Sequence, residues 1–98
     1  MNVIALRTLK AFYARHPQAK LPMAAWYREV SLARWDNLHD VKCQFPSADY
    51  VGDDRIVFDI GGNKFRIIAR VAYGPWYRVM IKFVGTHAEY DRVDARTI

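Results

Sequence analysis

Ninety-eight residues, 52% of them hydrophobic and 26% charged, predict a single globular domain spanning residues 1–98 and exclude a disordered tail. A chain of this length buries only about 60% of its unfolded surface, so the expected site is a surface concavity and not a deep chamber. Fifteen Lys and Arg against ten Asp and Glu leave a net charge of +5, which favours a polyanionic partner: nucleic acid, an anionic membrane face or an acidic protein.

In chain order, Asn2–Ala5 is short and apolar and reads as a strand. Leu6, Leu9, Phe12 and Tyr13 then recur at helical spacing until His16-Pro17 interrupts, predicting a helix that ends near Arg15. Met1–Lys10 holds only the apolar run Val3–Leu6, short of a secretory leader, and no stretch approaches the ~18 apolar residues of a membrane helix. The expected setting is therefore cytoplasmic, without membrane contact. From Pro17 the helical pattern resumes through Met23, Trp26, Tyr27, Val30 and Ala33, with Pro22 tolerable only in the first turn. The aromatic group Trp26, Tyr27 and Trp35 reads as helix-packing core and not as a base-stacking platform. Trp35–Asp40 is a polar connector, Val41–Phe45 a candidate strand, and Pro46-Ser47-Ala48-Asp49 a turn. Cys43, the only cysteine, excludes an intrachain disulfide and a Cys-rich zinc site, fits a reducing compartment, and reads as a half-buried thiol.

The second half changes to a period of two. Ile56, Phe58 and Ile60 face one way and Arg55, Val57 and Asp59 the other, and Gly61-Gly62-Asn63 supplies the positive φ angles of a hairpin. The next strand is Lys64–Ala72, followed by a turn at Gly74-Pro75, a strand over Trp76–Val84, and a short helix from about His87. The fold class is therefore α+β: a short N-terminal strand, a two-helix hairpin packed on a mainly antiparallel sheet, and a short C-terminal helix.

Phe65, Ile67, Ala69 and Val71 alternate with Lys64, Arg66 and Arg70, and Tyr77, Val79, Ile81 and Phe83 alternate with Arg78 and Lys82. A hairpin about Gly74-Pro75 gathers these five cations on one face, with Arg70 opposite Arg78 and Arg66 opposite Lys82. No acidic residue lies between Phe65 and Phe83 to offset them, which points to an anionic ligand, with Lys64, Arg70 and Arg78 as RNA-binding candidates. Antiparallel sheets commonly keep one charged face in water, and that is the competing reading.

Thr86-His87-Ala88-Glu89 has capping-box spacing, so Thr86 and Glu89 are read as structural. The cap needs neither His87 nor Tyr90, and these two are the candidates for chemistry at the edge of the basic face. His16 and His39 lie in connectors without paired-ligand spacing and are read as solvated or capping. Gly61-Gly62-Asn63 joins two strands and lacks a following Lys-Ser/Thr, which makes it a turn and not a phosphate loop. Asp53-Asp54 is a turn as well.

The run Val57–Ile68, containing FDIGGNKFR, and the run Val84–Asp91, containing GTHAEYD, together resemble the HigB-type toxins of bacterial toxin–antitoxin pairs, within the RelE superfamily. The likeness is strongest from Tyr50 to Asp94; Trp26-Tyr27 and WDNLHDVK fit it more loosely. The resemblance implies a RelE-like fold, an endoribonuclease that cuts mRNA on the translating ribosome, and a HigA-like antitoxin carrying a helix-turn-helix. By motif position it also puts catalytic roles on Arg66 and Tyr90, and His87 stands where such toxins often have another basic residue. RNA supplies its own nucleophile, so cleavage needs a base, an acid and cations but no metal or cofactor. Arg66 and Lys82 are expected on the scissile phosphate, with His87 and Tyr90 positioning or transferring protons. Two rival readings are a gyrase-directed toxin of the related ParE type and a noncatalytic RNA- or ribosome-binding module.

Overall fold

The computed structural model describes residues 1–98 and runs β1 (Asn2–Ile4), α1 (Leu6–Arg15), a 3-10 turn (Pro17–Ala19), α2 (Lys20–Leu32), α3 (Leu38–Gln44), β2 (Asp49–Gly52), β3 (Arg55–Ile60), β4 (Phe65–Ala72), β5 (Arg78–Thr86) and α4 (His87–Tyr90). Leu9 and Phe12 are the buried positions of α1, and Met23, Trp26 and Val30 those of α2; this spacing puts each set on one helical stripe. The His16 amide closes α1 on the Phe12 carbonyl at 3.0 Å. Pro17 then opens the 3-10 turn, where a missing N–H removes no helical bond. Pro22 falls in the first turn of α2, where helices accept proline.

The strands form one sheet in the order β1-β5-β4-β3-β2, with β1 parallel to β5 and every other pair antiparallel. Ile56, Phe58, Ile60, Phe65, Ile67, Ala69, Val71 and Val79 face the helices and join their buried residues in one core. Phe58 is its hub: Trp26 and Phe45 each meet it edge-on at 5.3 Å, and Trp35 stacks on it at 6.3 Å. Trp26 and Trp35 are buried and Tyr27 packs beside them, as core residues and not as a platform. This is the α+β arrangement expected from the change of period, and it is consistent with the RelE-like fold that the resemblance implies.

Several local expectations are corrected. Val41–Phe45 is not a strand; residues 38–44 are helical because the Asn37 side chain accepts the Asp40 amide at 3.0 Å as an N-cap, and Val41 turns into the core. The fourth antiparallel strand is Asp49–Gly52 instead, starting at the last residue of the expected turn. Cys43 is exposed, not half-buried, with its Sγ 3.3 Å from His39 Nε2 one helical turn away.

The β4–β5 register also differs. The loop spans Tyr73–Tyr77, so Ala72 lies opposite Arg78 and Arg70 opposite Met80. A bulge then matches Ile68 to Phe83 and Ala69 to Ile81, which leaves Lys82 as the extra residue and puts Arg66 opposite Gly85. Nor are the cations on the outer face unopposed. Asp59 of β3 stands across from Arg66 with Oδ1 3.0 Å from Nε, Asp53 holds Arg55 at 2.8 Å, and Asp54 lies 3.9 Å from Arg70. The last residues cover the middle of this face. Tyr90 lies 5.7 Å from the Arg66 guanidinium, and the Ile98 carbonyl accepts from Arg55 Nε and Nη2 at 3.1 and 2.8 Å. Val57 and Ile68, on the face away from the helices, are consequently buried.

Candidate active site

At the end of the sheet where β4 begins and β5 ends, the C-terminus of α1 stands off to leave a cleft of about 440 Å³. Its walls are Arg15, His16, Pro17 and Gln18 from the end of α1, Asn63, Lys64 and Phe65 from the β3–β4 turn, and Thr86 and His87 from the start of α4. None of these nine residues is acidic. Gly61 and Gly62, at φ +64° and +70°, make the reversal that brings Asn63 and Lys64 to the rim. The His16 ring is held by stacking on Phe12 at 4.4 Å, with Phe65 edge-on at 6.4 Å.

His87 is fixed through its backbone. Its amide donates to the Lys64 carbonyl at 3.0 Å, tying α4 to the turn. The expected capping box is present: Thr86 Oγ1 accepts the Glu89 amide at 3.2 Å, and Glu89 Oε1 accepts the Thr86 amide at 2.9 Å. The bond from the Thr86 backbone is the main reason the Glu89 carboxyl lies below its ordinary value of 4.5, and the positive ends of His16 and Arg15 lower it further. His87 Nδ1 is shielded and has no hydrogen-bond partner; the nearest carboxylate oxygen is that of Asp91 at 3.4 Å. Nε2 is thus the ring nitrogen left for chemistry.

Beside the cleft, Arg66 is 7% exposed and densely engaged. Its Nε pairs with Asp59, its Nη1 donates to the Phe65 carbonyl at 3.1 Å, and its Nη2 donates to Asn63 Oδ1 at 2.5 Å. Asn63 itself lines the cleft, so Arg66 braces the rim from behind.

A family model described as HigB_toxin, the RelE-like toxic component of a toxin–antitoxin system, matches residues 19–93. The chain belongs to the HigB toxin family. The mRNA interferase toxin HigB of Escherichia coli (strain K12) is 32% identical over 94 residues, spanning 93% of this chain and 88% of that protein. The proteins named mRNA interferase HigB in Escherichia coli O157:H7 and Shigella flexneri match to the same extent. Family membership makes this protein the toxic half of such a pair, with an antitoxin as its partner.

On this HigB-family fold the residues singled out in the sequence separate into groups. Lys64 and His87 meet in the cleft, with Arg66 and Tyr90 paired next to it. Lys82 sits in the β5 bulge, and Arg70 and Arg78 line a different concavity at the opposite end of β4. The sequence reading missed Arg15, His16 and Gln18 as cleft residues. Its only signal for His16 was a histidine before a proline at a helix end, and nothing local ties that position to residues 64 and 87.

Proposed function

We propose that this HigB-family protein is an mRNA-cleaving endoribonuclease that acts on translating ribosomes in the cytoplasm and is restrained by a HigA-like antitoxin. The observation that carries the reading is a cleft whose walls hold no acidic residue and bring two imidazoles, His16 and His87, beside Lys64 and Arg15. The relatives' shared name, mRNA interferase, supports it.

In the proposed reaction the RNA 2'-hydroxyl attacks the adjacent phosphorus. One imidazole takes the hydroxyl proton, the new O–P bond forms as the P–O5' bond breaks, and the other imidazole protonates the departing 5'-oxygen. The products are a 2',3'-cyclic phosphate and a 5'-hydroxyl. Lys64 and Arg15 neutralise the charge that grows on the phosphoryl oxygens. Arg66 acts as a positioning residue through Asn63, with Tyr90 laid over it, and the Asp91 carboxylate stands 3.4 Å from His87 Nδ1.

The test is primer extension on a defined mRNA, free and on programmed ribosomes, with wild-type, His16→Ala and His87→Ala proteins. Cleavage is expected on ribosomes, falling about a hundredfold or more in each variant, the usual contribution of a general acid or base. Wild-type rates in both variants would overturn the assignment.

A further inference from the structure

The largest concavity is not the cleft. About 550 Å³ opens at the Ala72 end of β4, lined among others by Arg70, Arg78, Tyr73, Trp76, Met80 and Asp54. The eight residues of β4 separate it from the cleft by roughly 23 Å at ~3.3 Å per residue. Trp76 is 67% exposed, whereas Trp26 and Trp35 are each 2% exposed.

The loop that carries Trp76 is firmly held. Tyr73's carbonyl accepts the amides of Trp76 and Tyr77 at 3.1 and 3.3 Å, and the Tyr77 hydroxyl donates to Asp36 Oδ1 at 2.6 Å. Arg34 covers the Tyr77 ring at 4.2 Å. A Cβ on Gly74 would stand 2.5 Å from that hydroxyl and 2.7 Å from the Asp36 oxygen, so a larger residue there would push this pair aside. Tyr77 itself sits at φ +51°, a left-handed conformation that side chains other than glycine adopt at a cost. A fixed loop thus holds an indole in water, and an exposed aromatic beside two guanidinium groups has the makings of a stacking site. The pocket's one carboxylate, Asp54, is 3.9 Å from Arg70, beyond hydrogen-bond reach, which leaves that guanidinium donors for another acceptor.

We propose that this pocket is a second RNA-anchoring site, in which a base of single-stranded RNA stacks on Trp76 while Arg70 and Arg78 hold its flanking phosphates. The proposal rests on RNA being the substrate. It assigns the distal end of the sheet to substrate affinity and leaves the chemistry in the His16–His87 cleft. An indole face and two arginine forks bind without choosing a base, which suits an enzyme that must grip many messages.

The test uses His87→Ala protein, to keep the RNA intact, and a single-stranded RNA of about 12 nucleotides, within the range that one stacking surface binds. Because only Trp76 is exposed, bound RNA should quench tryptophan emission and shield it from acrylamide. Adding Trp76→Ala should abolish that signal and weaken binding about fivefold to a hundredfold, while Trp76→Phe, which keeps an aromatic face, should retain most of the affinity. In ribosome-dependent cleavage with His87 intact, Trp76→Ala should raise KM and leave kcat unchanged. Unchanged RNA affinity in Trp76→Ala protein of wild-type circular dichroism would overturn the site. So would loss of antitoxin binding with RNA affinity intact, which would give the pocket to an acidic peptide. If RNA quenches Trp76 but the wild-type protein cuts no message, the cleavage reading fails and the site stands; cleavage without any effect at Trp76 gives the converse.

Discussion

Arg66 carries more of the local structure than its place in a basic motif implies. Its side chain is 9% exposed and that of its partner Asp59 33%, so the two ends of this ion pair pay unequal desolvation. Removing Asp59 leaves a buried guanidinium with its two neutral acceptors but no counter-charge, whereas removing Arg66 leaves a carboxylate that water still reaches. Asp59→Ala is therefore expected to destabilise the fold by about 3 kcal/mol and Arg66→Met by clearly less, read as the shift in urea midpoint. Equal losses would mean the pair is not the asymmetric contact that its burial describes. Sequence pattern put Arg66 on the strand facing away from the core, which is correct. The hairpin about Gly61-Gly62-Asn63 was expected, but its register was not, and it is the register that sets Asp59 opposite Arg66.

At the scale of elements, α4 is four residues long and is held largely by its cap. Thr86→Ala should cost about 1 kcal/mol locally. Since α4 carries His87 and Tyr90, cleavage should fall more steeply than the urea midpoint does. Acid should reproduce the effect. The Glu89 carboxyl is lowered by its bond from Thr86, so the ionised form is the one the fold stabilises. That contribution is fully present above the ordinary value of 4.5 and is lost as pH falls below it through the folded-state value. The protection of α4 amides, taken relative to their intrinsic exchange at each pH, should fall in that window in wild type and not in Glu89→Gln, where the carboxylate is already gone. The capping box was legible because its spacing is local. The N-cap of α3 was equally local in Asn37-Leu38-His39-Asp40, yet Val41–Phe45 reads as a strand if that cap is passed over. β2 gave almost no signal, since it is four residues long and Tyr50 on it is half in water. The β5 bulge lay beyond reach, because a period of two carries no mark for an inserted residue.

Over the whole molecule, alternation in β3 and β4 fixed which residues face the helices, but in β5 it holds only up to the bulge, past which Val84 and not Phe83 packs on the core, and it does not show what covers the other face. The C-terminal residues lie over its centre, held at Arg66 and Arg55, and this divides the expected continuous basic surface into two separate ends. The net charge of +5 therefore acts from more than one place, and its salt dependence can be apportioned. On single-stranded RNA each phosphate contact adds about 0.7 to the slope of log affinity against log salt. Replacing both Arg70 and Arg78 with alanine should flatten that slope by about 1.4, with affinity falling most at low salt. His87→Ala should leave the slope near its wild-type value at neutral pH, because an imidazole engaged in proton transfer is not a standing phosphate contact. Titrations of RNA binding at several salt concentrations would separate the two. An unchanged slope in the double variant would take the distal arginines off the phosphate backbone and move the electrostatic hold on the message to other cations, with Arg15 and Lys64 of the cleft the first to test.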